Sequence, residues 1–128
     1  MPATRIGTRR GWLGNRRGEL VEAVQRALQT GLLIPDNDRC IRLTEYDDDA
    51  MLAPPEKGPS YLLIEVTLFS GRSVEAKRRL YAALVEELEP LGIPAGDIKT
   101  ILIEVDSVNW GLQGVPASEI DLGYKIDV

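Results

Sequence analysis

Leu20, Ala23, Val24, Ala27 and Leu28 recur at the spacing of one helix face, and Gly31 follows where a helix end often turns left-handed. The pattern predicts a helix from about Asn15 to Thr30, stopped by Gly31. From Arg39 to Tyr46 the alternation around Ile41 and Leu43 predicts a strand, broken by Asp47-Asp48-Asp49 and Pro54-Pro55 into a loop that runs to Ser60. Tyr61 to Phe69 (YLLIEVTLF) is apolar and β-branched with few interruptions, as in a strand buried on much of both faces. It is expected at the centre of a sheet. Ser73 can cap a second helix whose Leu80, Leu84, Leu88 and Leu91 form one stripe, with Gly92 and Pro94 ending it; Ile98 to Val105 is the next strand.

The two halves repeat each other. LLIPDNDRCIRLTEYD at 32–47 and LGIPAGDIKTILIEVD at 91–106 share Ile-Pro, an Asp three residues after the Pro, and a strand ending in Glu-x-Asp, at an offset of 59 residues. Carried back, that offset sets Pro2 opposite Tyr61 and predicts a strand over Pro2 to Thr8. The expected fold is α+β, one domain over residues 1–128 made of tandem β-α-β units with pseudo-repeats 2–47 and 61–106. Right-handed crossovers lay both helices on one face of a four-stranded sheet. The other face then lacks a cover, so an oligomer is expected, with the segment 107–128 at its interface.

Composition narrows the chemistry. The 128 residues contain no histidine, which removes Ser-His-Asp and Cys-His catalysis and imidazole acid–base steps. The single Cys40 cannot form an internal disulfide and suits a reducing compartment, so the cytoplasm is expected. A net charge of −5 opposes nucleic-acid and anionic-membrane binding, and no apolar run has the length of a membrane span. Arg5, Arg9, Arg10, Arg16 and Arg17 all precede the first acid, Glu19, as in a transit peptide, but the run has no apolar face. Asp47-Asp48-Asp49 lacks further ligands at metal-loop spacing, so no metal is expected.

A duplicated β-α-β chain beginning Met-Pro resembles the tautomerase superfamily, the 4-oxalocrotonate tautomerase-like proteins. Ile34-Pro35-Asp36-Asn37-Asp38-Arg39, Gly71-Arg72-Ser73 and Asn109-Trp110, in that order from Pro2, look most like the malonate semialdehyde decarboxylase group. The resemblance implies a trimer that uses no cofactor, removal of Met1, and a Pro2 amine that does the chemistry on a small carboxylate substrate. It also implies a carboxylate-binding Arg72 and an acidic Asp38 near the proline. The chain departs from the pattern at Gly11-Trp12-Leu13, where an arginine is customary, at Phe69-Ser70-Gly71-Arg72, which offers one arginine where the decarboxylases have two, and at Leu112 and Gly114, which replace aromatics. With one arginine, tautomerisation of an enol or 2-oxo acid ranks ahead of decarboxylation or haloacrylate hydration. A catalytically silent trimer that binds a small anion or a protein is the alternative from another class.

Each candidate also has a plain structural role. Pro2 freed of Met1 is a secondary amine, and a desolvated site lowers such a group from its ordinary value of about 8, giving a base at neutral pH; otherwise it simply opens a strand. Arg72, beside helix N-terminal amides, can hold a carboxylate bidentately or be a turn residue. Asp38 can orient a water or an enol proton, yet Asp97 stands at the same place in the other repeat, as a turn cap would. Trp110 can wall a pocket or pack in a core. Arg39 and Gln113 are candidate substrate contacts from a neighbouring subunit, and Cys40, inside a strand, reads as a small apolar core residue rather than a nucleophile.

Overall fold

The computed structural model describes residues 1–128. The chain runs β1 (Ala3–Arg9), α1 (Arg17–Leu32), β2 (Ile41–Tyr46), β3 (Leu62–Phe69), α2 (Val74–Leu88) and β4 (Ile98–Val105). A short hairpin follows, β5 (Gly111–Leu112) with β6 (Val115–Pro116). The sheet order is β2-β1-β3-β4, with parallel pairing inside each unit and antiparallel pairing of β1 with β3, where Ile6 faces Ile64. These are the two expected β-α-β units, joined so that β3 lies inside the sheet as its continuous apolar run requires.

One sheet face is closed by both helices. Ile6 of β1 and Leu62, Ile64, Val66 and Leu68 of β3 meet Leu20, Val24 and Leu28 of α1 and Leu80, Leu84 and Leu88 of α2 in one apolar core. The opposite face, carrying Leu63, Thr67 and the Arg5–Glu65 ion pair (3.1 Å), has no layer over it. Ile101 and Ile103 on β4 are there 42% and 40% exposed, high for isoleucines in the middle of a strand. No helix is long and apolar enough to cross a membrane.

Two local expectations are corrected. The first helix covers Arg17–Leu32 instead of Asn15 to Thr30, and Gly31 lies inside it; the left-handed residue that ends it is Leu33, with φ 55°. Gly31 is needed for a different reason, because a Cβ there would stand 2.5 Å from the Cα of Leu80, where α1 and α2 cross. The second strand begins at Ile41 and not at Arg39, since Asp38 is still in a turn whose N–H donates to the Pro35 carbonyl (3.1 Å). Ser73 behaves as expected: its hydroxyl accepts from the Ala76 N–H at 3.0 Å and caps α2.

Candidate functional site

At the end of the sheet where β1 begins, Pro2 is buried beside the turn Pro35–Asp38, which delivers the chain into β2. The Thr4 N–H donates to the Cys40 carbonyl (2.9 Å) and ties these two segments together. A cavity of about 520 Å³ opens here. Pro2, Asp38, Arg39, Trp110 and Gln113 line it, five of the six sequence candidates, together with Cys40, which is exposed and not in the core.

Asp38 is the polar centre of the cavity. Its side chain is 7% exposed, its Oδ2 lies 3.6 Å from the α-amino nitrogen of Met1, and the Tyr124 hydroxyl donates to it at 3.2 Å. The Met1 ammonium in turn donates to the Tyr124 oxygen. Burial pushes that α-amino group below its ordinary value of 8.0; Asp38 pushes it back up and Arg72 adds to the lowering. Burial first, then the charge and hydrogen bond of Asp38, raise the Tyr124 phenol, which therefore stays a proton donor at neutral pH.

The structure also separates Asp38 from its repeat partner. Both turns share a backbone bond, from Asp38 N–H to Pro35 and from Asp97 N–H to Pro94 (2.9 Å). The carboxylates face corresponding places but meet different partners: Asp97 accepts from the Gly58 N–H (3.3 Å) and the Ser60 hydroxyl (3.2 Å) in the segment that leads into β3, whereas Asp38 faces the Met1 amine and the Tyr124 hydroxyl where the chain leads into β1. Turn capping thus belongs to the shared backbone, and the Asp38 carboxylate is left for the cavity.

Arg72 does not line the cavity. It is 7% exposed, its Nη1 donates to the Leu32 carbonyl at the end of α1, and its buried Nε has no partner. Burial lowers its pKa, Tyr124 and Asp38 oppose the shift, and Arg79 adds to it. It therefore stands behind the site as a source of positive potential. Arg39 reaches the cavity rim with its guanidinium already engaged by the Asp36 side chain (2.7 Å) and by Glu22 (2.8 Å). A carboxylate ligand would have to compete with both.

Trp110 is a wall. Its indole N–H is spent on the Val105 carbonyl (3.0 Å), and its ring packs edge-on to buried Phe69 with centroids 4.8 Å apart. Gln113 (φ 55°) and Gly114 (φ 83°) are the two left-handed residues of the β5–β6 turn.

Tyr124, Ile120 and Leu122 were not foreseen as site residues. A signal existed, since Ile120, Leu122, Tyr124, Ile126 and Val128 alternate with polar or glycine residues, and these five are the half-buried ones of the tail. The tail runs past the cavity to Gly71, where Ile126 Cγ2 packs, and to Arg79, which donates to the Val128 carbonyl at 2.6 Å.

A family model described as tautomerase enzyme matches residues 38–113, more than half of the chain. The chain belongs to this tautomerase family. The match starts at Asp38 and ends at Gln113, so it includes Arg72 and Trp110 and leaves Pro2 and Tyr124 outside. A probable tautomerase of Ralstonia nicotianae is 42% identical over 57 residues, 44% of this chain and 81% of that protein. Among solved structures, FG41 malonate semialdehyde decarboxylase inhibited by 3-bromopropiolate is 29% identical with a TM-score of 0.81, over 91% of this chain and 92% of that one. A fused 4-OT, solved as an asymmetric trimer, shares the fold at 22% identity with a TM-score of 0.80, over 95% and 99% of the two chains.

Proposed function

We propose that this tautomerase-family chain is a cofactor-free isomerase of small enol or 2-oxo acids in which the Pro2 amine, exposed by loss of Met1, moves the proton. The observation that carries this reading is the α-amino neighbourhood beside Pro2: a desolvated amine, an acceptor in Asp38 and a donor in Tyr124 at one cavity. The Pro2 nitrogen takes the enol O–H proton, the electron pair moves through the C=C bond, and the same proton returns to carbon, leaving the ketone. Arg72 lends positive potential to the enolate and carboxylate, and Trp110 keeps water from one side.

A second reading is decarboxylation of a 3-oxo acid. The 29% identity to malonate semialdehyde decarboxylase across 91% of this chain favours it, as does a carboxylate beside the amine. There the protonated Pro2 polarises the carbonyl, the C–C bond to the carboxylate breaks, and the enolate takes a proton as CO2 leaves.

Ketonisation of an arylenolpyruvate and decarboxylation of malonate semialdehyde, both measured on protein shown by intact mass to lack Met1, separate the two readings. For tautomerisation, kcat/KM should rise with pH as the Pro2 amine loses its proton, and burial of that amine should lower the midpoint. Arg72→Ala should move that midpoint to higher pH, since a cation that disfavours the ammonium is gone. Asp38→Asn should move it lower. A midpoint indifferent to both changes would assign the limb to another group.

Assembly completes the proposal. The uncovered sheet face and the trimeric fused 4-OT relative support a homotrimer, with segment 107–128, including exposed Val108 and Val115, against a neighbour. Sedimentation equilibrium should return three times the 14.1 kDa chain mass. Ile103→Asp should shift the protein towards monomer, and a monomeric wild type would overturn the assembly.

A further inference from the structure

We infer that Gln25, a buried amide on the core face of α1, is a positioning residue that fixes the Asp38 turn for catalysis. The inference rests on the Pro2–Asp38 reading above. Gln25 is 1% exposed among Ala23, Val24 and Leu28, and its Nε2 donates to the main-chain carbonyl of Asp38 at 3.0 Å. The N–H of Asp38 is already held by Pro35. Both backbone polar groups of Asp38 are therefore tied down, and the carboxylate starts from a fixed Cα.

Stability alone does not explain a glutamine here. Its Oε1 is buried without a partner, and a buried acceptor left unpaired destabilises the fold. The other repeat supplies the comparison. The buried Leu20, Ala23, Val24 and Leu28 of α1 match Leu80, Ala83, Leu84 and Leu88 of α2 at an offset of 60, one more than between the strands, which sets apolar Val85 opposite Gln25. In that repeat Asp97 is restrained through its carboxylate by Gly58 and Ser60. The Asp38 carboxylate is turned instead to the amine and to the Tyr124 hydroxyl. A bond from the helix to its backbone holds the turn and leaves the carboxylate to the amine and the Tyr124 hydroxyl.

The test compares wild type, Gln25→Val, Asp38→Asn and the double variant, all freed of Met1, by kcat and KM for arylenolpyruvate ketonisation and by thermal melting. Gln25→Met, which keeps the length and removes the donor, guards against a void. The expected result is a kcat lower by roughly tenfold to a hundredfold with KM little changed, as for a reacting group displaced by about 1 Å. Melting temperature should hold or rise. In the Asp38→Asn background Gln25→Val should have no further effect on the residual rate. An unchanged kcat, or a loss that persists in full without the Asp38 carboxylate, would overturn the inference. If wild type shows no Pro2-dependent rate, it is the functional reading that fails. A crystal structure of Gln25→Val then decides the positioning claim: a displaced Asp38 carboxylate supports it and an unmoved one refutes it.

Discussion

Protein that retains Met1 is expected to lose the whole general-base contribution, roughly a hundredfold to ten-thousandfold in kcat. In that form the Pro2 nitrogen is an amide whose lone pair is delocalised into the carbonyl, so it cannot take a proton. Pro2→Ala in protein freed of Met1 is a milder change, because it still presents an α-amine at the cavity. That amine is no longer fixed by a ring, so an intermediate loss of about a hundredfold is expected from misorientation. Ketonisation rates on the three forms, each verified by intact mass, give the comparison. Equal rates in all three would remove the Pro2 amine from the mechanism.

Gly31→Ala is expected to be the most damaging single-methyl addition in the core. An alanine in a helix interior is intrinsically better than glycine by about 1 kcal/mol, which taken alone predicts stabilisation. The contact reverses the sign. The added Cβ would meet three atoms of Leu80, its Cα at 2.5 Å, Cβ at 2.6 Å and N at 2.8 Å, and two of these are backbone atoms that no rotamer change can move. The helices must separate, and overpacking of this kind costs about 1–3 kcal/mol net. Thermal melting should show a fall of roughly 5–15 °C for a chain of this size. An unchanged or higher melting temperature would mean that α1 and α2 can slide apart without loss.

The two glycines of the helix ends show what the sequence can and cannot carry. Gly92 does end its segment in the left-handed conformation, with φ 82°, as position and neighbouring Pro94 suggest. Gly31 carries the same local signal but serves a contact with a helix about fifty residues away, and no local pattern encodes that. The strands and the duplication were legible because period and repeat are one-dimensional properties, and they brought Pro2, Asp38 and Trp110 to one end of the sheet. The orientation of Arg72 was not, because whether a guanidinium faces a ligand or the Leu32 carbonyl depends on where α1 ends. Tyr124 was hidden by its distance from every motif. Its alternating neighbours signalled an extended segment, but the surface that segment covers is set by tertiary packing.

The twin aspartates have a consequence for how this chain divides its labour. Asp97 and Asp38 occupy the same turn, one bonded to Gly58 and Ser60 ahead of β3 and the other to Tyr124 and the amino terminus ahead of β1. The first is held by a main-chain N–H and a serine, partners that serve folding alone; the second is held by groups that line the cavity, and departures of this kind are expected where a protein keeps chemistry in reserve. Duplication has thus given the molecule an internal reference. One copy of the turn shows what the sequence adopts when folding alone is served, and the difference between the copies measures what the site demands.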